Sequence, residues 1–138
     1  MEVAPSVRAS VLTVAGVYLV DLDDETVLGP SPDARFDPPP AARPFLPRLV
    51  AAAAAGSTVV AVVDAKPPLL VSHDAGATWQ ESGRGLPRGY AVALADQDPD
   101  RMLFATRNRL HVSTDGGRFW RSLSVELPDI LAVSFDDG

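Results

Sequence analysis

The stretch "SHDAGATW", Ser72 to Trp79, returns as "STDGGRFW", Ser113 to Trp120, 41 positions further along the chain. The flanks repeat at the same distance. Leu69 falls on Leu110, Val71 on Val112, Leu86-Pro87 on Leu127-Pro128, and Val92 on Val133. A period near 40 with fixed turn residues marks a repeat architecture, in which each unit buries its apolar face only by stacking on the next.

Within a unit the pattern is that of strands. "AVALAD" (91–96), "RMLFATR" (101–107) and "RLHVS" (109–113) are short apolar or alternating runs, and turn-rich "DQDPD" and "TDGG" separate them. A fourth strand starts at the tryptophan, in "FWRSLSV". Four short strands per unit of this length describe a β-propeller blade. "AVALA" and "VAAAAA" (50–55) open their units, as suits an innermost strand beside a crowded axis. Alanine is also the best helix former, but Gly56-Ser57 ends that run and the strand-like "TVVAVV" follows at once.

The two octapeptides resemble the Asp-box, or BNR repeat, Ser-x-Asp-x-Gly-x-Thr-Trp, found in blades of sialidases, sortilin-type receptors and photosystem assembly factors. The second copy carries Phe119 where the pattern has threonine. The resemblance implies an all-β propeller, with Ser72, Asp74, Gly76, Trp79, Ser113, Asp115, Gly117 and Trp120 as structural residues of peripheral turns. The residue types account for that role. Asp and Ser side chains bond turn amides, glycine admits a positive φ, and tryptophan buries a large apolar area.

The chain ends suggest how the blades are shared. "LPDILAVSFDDG" copies "LPRGYAVALADQ" and stops after one innermost strand. With a shift of 92, "SVLTVAGVYLVDLDDETVL" lies along "MLFATRNRLHVSTDGGRFW", a degraded copy with Asp24 and Glu25 in place of the glycines. The expected organisation is a single domain, 1–138. A blade is shared between 6–28 and 129–136, a Pro-rich insertion spans 29–48, and further blades span 49–86 and 87–127. Three blades make a poor closed ring, so the expectation is a homodimer closing as six. The C-terminal strand then completes the N-terminal blade in trans. A different half-propeller as partner, or open stacking, are the alternatives. The seven prolines of 29–48 exclude a central strand or helix there; a surface insertion is expected, the alternative being a lid or rim of the channel.

Composition narrows the function. Hydrophobic residues at 46% and charged residues at 22% suit a globular domain. Net charge is −6, with one lysine, Lys66, and no basic block, which argues against nucleic acid. No apolar run approaches the roughly 20 residues of a membrane span. The absence of cysteine excludes disulfides and, with a start unlike a signal peptide, fits a cytoplasmic location. No cofactor or metal is expected. His73 and His111 have no metal-ligand spacing, and "DQDPD" lacks the glycine and glutamate of a calcium loop. "DLDDE" (21–25) reads as a solvated, degenerate turn.

The sialidase resemblance implies an arginine cluster, an acid and a tyrosine nucleophile. No spacing assigns Arg35, Arg43, Arg84, Arg88, Arg107, Arg109, Tyr18 or Tyr90 to those roles. The expected function is therefore a non-catalytic binding or assembly scaffold. A glycan-binding or sialidase-like glycoside hydrolase is the alternative. Arg88, Tyr90 and Asp129, just before the innermost strands, are the candidate contact residues. Expected partners are a second copy, and another protein or a glycan.

Overall fold

Alternation of apolar and polar residues makes "RASVLT" a strand with one covered face, whereas every residue of "TVVAVV" is buried, as in a strand covered on both faces. A computed structural model of the protein describes residues 7–38 and 42–136. It contains twelve strands and no helix among the described residues. The expected start of the first blade at Ser6, and Pro39 to Ala41 of the Pro-rich segment, lie outside them.

Three antiparallel sheets of four strands form. The first blade joins β1 (Arg8–Thr13), β2 (Gly16–Asp21) and β3 (Thr26–Leu28) to β12 (Ile130–Asp136), in the order β12-β1-β2-β3. The second contains β4 (Leu49–Ala55), β5 (Thr58–Val63), β6 (Leu69–Ser72) and β7 (Gln80–Ser82). The third contains β8 (Ala91–Ala95), β9 (Asp98–Ala105), β10 (Leu110–Ser113) and β11 (Arg121–Ser122). The architecture is thus all-β, three blades of four strands each. The alanine run is strand β4, and β9 begins inside "DQDPD", at Asp98.

The innermost strand β8 packs against both β4 and β12, so the third blade stands in the middle. Two cores follow. Ala9, Val11 and Val20 of the first blade pack on Leu103, Leu110 and Val112 of the third. Val60, Val62 and Leu69 of the second pack on the opposite face of the third, at Met102 and Phe104. The blades therefore form an arc in the order second, third, first.

The anticipated pairing of the C-terminal strand with the N-terminal blade is present. β12 pairs with β1 from Arg8↔Asp136 to Thr13↔Ile130. β12 follows the third blade directly and lands beside it, where β1–β3 wait. A 20-residue segment reaches at most about 70 Å, ample for residues 29–48 to link the two ends of the arc. Ser31 N–H donates to Val17 O near its start, and Asp64 N–H to Arg48 O near its end.

The structure also moves the register of the degraded copy. Leu19, Ser10 and Leu28 share a row facing away from the third blade, whereas Tyr18 and Val27 pack on the core. Leu19, not Tyr18, therefore occupies the place of Leu110, which pairs as Leu69 does in the second blade. Leu28 ends its outermost strand as Ser82 ends β7, and the first blade has no counterpart of the tryptophans. In β2 the alignment moves by one residue, and one residue exchanges the two faces of a strand.

Candidate functional site

The two repeated turns are built alike. Ser72 Oγ donates to Asp74 Oδ1 (2.7 Å) and accepts from Gly76 N–H (2.8 Å); Asp74 Oδ1 accepts from Thr78 N–H (2.8 Å). In the third blade Ser113 Oγ donates to Asp115 Oδ1 (2.8 Å) and accepts from Gly117 N–H (2.9 Å), while Phe119 N–H reaches Asp115 Oδ1 (3.1 Å). Gly76 and Gly117 both have φ of 90°. Bonds from the Thr78 hydroxyl and amide, with Ser72, hold the Asp74 carboxyl down to about 2. Asp115 is lowered too, chiefly by the Phe119 amide. Phe119 has no hydroxyl for its aspartate, and its ring is exposed. These side chains are occupied with the turn itself.

The tryptophans differ in their surroundings. Trp120 packs edge-on against buried Phe104, ring centroids 6.0 Å apart, and its Nε1–H donates to Ser82 Oγ of the second blade at 2.9 Å. Ser82 in turn donates to Gly117 O. Trp79 instead shares a cavity with Val59 and with Arg43, Pro44 and Phe45 of the Pro-rich segment. Ser82 was not singled out from the sequence, because its repeat counterpart is the apolar Leu123.

Other anchors between blades also escaped the sequence reading. Glu25, expected to be solvated, accepts from Ser124 N–H (2.6 Å) and pairs with Arg121 (3.5 Å), whose Nη2 donates to Leu22 O (2.7 Å). The bond from the Ser124 amide is the main reason the Glu25 carboxyl lies below its usual range. The positive φ of Glu25, 56°, belongs to this tight turn. His111 is buried, between Thr106 Oγ1 (3.2 Å) and Ser122 Oγ (2.7 Å). Burial, then the charge of Arg109, depress its pKa to about 4, so the ring is neutral.

The three contact candidates precede two innermost strands, β8 and β12. Tyr90 lines a cavity of about 470 Å³ bordered by all three innermost strands and by Ala42 and Arg43. Val50, Tyr90 and Leu131 are all exposed at or beside the start of these strands. Arg88 and Asp129 do not face an unoccupied site. Arg88 pairs with Asp64 at 2.8 Å, and Asp129 with Arg107 at 3.2 Å. The two pairs join neighbouring blades with the charges reversed. Arg109 and Arg84 are paired as well, with Glu126 and Glu81. The guanidinium groups are thus distributed among separate carboxylates rather than gathered into one cluster.

No protein-family model matches the chain, and no curated protein matches it. A solved structure that resembles it is a GH74 enzyme from Niastella koreensis, at 23% identity and a TM-score of 0.48. The match covers 92% of this chain and 19% of that one, so the chain spans about a fifth of that enzyme's length. The activity in that enzyme's name is its own. The class of this protein follows from its sheets: an all-β array of three propeller-type blades.

Proposed function

We propose that the chain is a non-catalytic binding or assembly scaffold, half of a six-bladed propeller that a second copy completes. The observation that carries the binding reading is the exposed apolar rim of Val50, Tyr90 and Leu131 around one cavity. Exposed large side chains recurring at one place in successive repeats form a patch, and such patches mark interaction surfaces. Tyrosine among them is a residue type favoured at binding hot spots. The half-ring reading is supported by the arc, whose two end blades share no core with each other among the described residues.

The test has two parts. Light scattering on the full chain is expected to give twice the 14.6 kDa of one chain. Fluorogenic glycosides, a sialoside among them, are expected to remain intact. Hydrolysis lost on Arg88→Ala overturns the non-catalytic reading in favour of a glycosidase. A protein partner retained by the full chain and released by Tyr90→Ser with Leu131→Ser supports the rim as its site.

A further inference from the structure

The two copies of the repeated turn differ in the side chains they carry. Ala75, Ala77 and Thr78 of the second blade stand where the third has Gly116, Arg118 and Phe119. The change has a local cost. Thr78 donates its hydroxyl to Asp74, a bond that Phe119 cannot offer Asp115, and Phe119 is 79% exposed to water. Residues that break a local rule without a gain in the fold are expected where a chain meets a ligand. Arg118 and Phe119 both line a cavity of about 630 Å³ between the second and third blades. Small-molecule sites span roughly 300–1,000 Å³.

The floor of this cavity offers few polar side-chain groups. Gly83, Gly116 and Gly117 contribute none, and Val71 and Leu86 are apolar. The N–H of Trp120 is spent on the Ser82 hydroxyl, which is itself spent on Gly117 O. A Cβ at Gly116 would lie 3.1 Å from the His73 ring, so the bare glycine lets His73 close one side. Charge stands at the exposed rim. Arg84 pairs with Glu81 at 3.9 Å, whereas the Arg118 guanidinium has no hydrogen bond or ion pair among the described residues.

We propose that this cavity binds a small planar carboxylate, its ring against Phe119 and Trp120 and its carboxyl group on Arg118. Aromatic rings meet favourably in offset or edge-on contact, and a guanidinium presents parallel N–H donors to both carboxylate oxygens. A ligand rich in hydroxyls fits less well, because each one turned to the floor loses water without gaining a side-chain partner. The cavity shares no lining residue with the one beside Tyr90, so the site is independent of the scaffold reading.

Benzoate is the probe, titrated into the full chain and followed through the indole N–H resonances in proton–nitrogen NMR spectra. The chain has two tryptophans, so Trp79→Phe assigns both signals. The Trp120 resonance is expected to move saturably while that of Trp79 stays in place. Phe119→Thr restores the turn hydroxyl and so keeps the fold. It and Arg118→Gln are each expected to raise the benzoate Kd about tenfold, as the loss of one such contact does. Benzyl alcohol, the uncharged analogue, is expected to bind more weakly than benzoate. A Trp120 resonance that stays fixed up to the solubility limit of benzoate overturns the site. Affinity unchanged in both variants places benzoate elsewhere and overturns it as well. Benzyl alcohol binding as tightly as benzoate, or glucuronate more tightly, overturns the planar carboxylate as the ligand class.

Discussion

Ser82 shows how much one small side chain can decide. Its buried hydroxyl donates to Gly117 O and accepts from Trp120 Nε1–H, so it fastens two blades with one atom. Ser82→Ala leaves a donor and an acceptor unsatisfied, and chemical denaturation is expected to show a loss of about 2 kcal/mol. Gly89 is required for a different reason. A Cβ there falls 1.9 Å from the Phe104 ring, which is fully buried between blades. Gly89→Ala is expected to cost about 3 kcal/mol, by the same measurement, because the packed ring has nowhere to retreat. His111 gives a pH dependence. Its folded pKa of about 4 lies below the ordinary 6.5. Between those values the unfolded chain takes up a proton that the fold refuses. Its contribution is complete above pH 6.5 and falls away as the pH drops toward 4. The denaturation midpoint should therefore decline over that window by roughly 2 kcal/mol equivalent, and His111→Gln should flatten this part of the curve. The octapeptides were legible as turns because Ser, Asp and Gly act within one loop. Ser82, Glu25 and Gly89 were not, since each answers to a residue far along the chain.

At the scale of the element, the decisive pairing is β12 with β1. Ser10 and Ser134 are register partners on this ladder, and the chain has no cysteine. Ser10→Cys with Ser134→Cys is expected to form a disulfide readily, since directly paired residues lie within the Cα separation such a bond needs. On a non-reducing denaturing gel, pairing within the chain gives a single-chain band. A cross-linked dimer would establish strand exchange instead. The strands themselves were readable, down to the alanine run that became β4, because period-2 alternation and flanking turn residues are local signals. The face that each strand of the first blade turns inward was not. A shift of 92 placed Tyr18 on Leu110, whereas the sheet places Leu19 there, and only the core at Val20 and Ala9 reveals the difference.

For the whole molecule, the arc makes the third blade the keystone, with a core on each face, and the outward-facing Val59, Ala61 and Val63 of the second blade are buried as well. The described parts of the Pro-rich segment border both end blades. It leaves the outward edge of the first blade at Val17, borders the axial cavity at Ala42 and Arg43, and returns beside Val59 and Trp79 of the second. The amino-acid sequence by itself determined the repeat, the strand content and the turns, because these depend on side chains a few positions apart. The order of the blades in the arc and the face that each strand of the first blade turns inward were decided only by the tertiary structure. Those features follow from which apolar faces find each other across 100 or more residues, and sequence spacing carries no record of that choice.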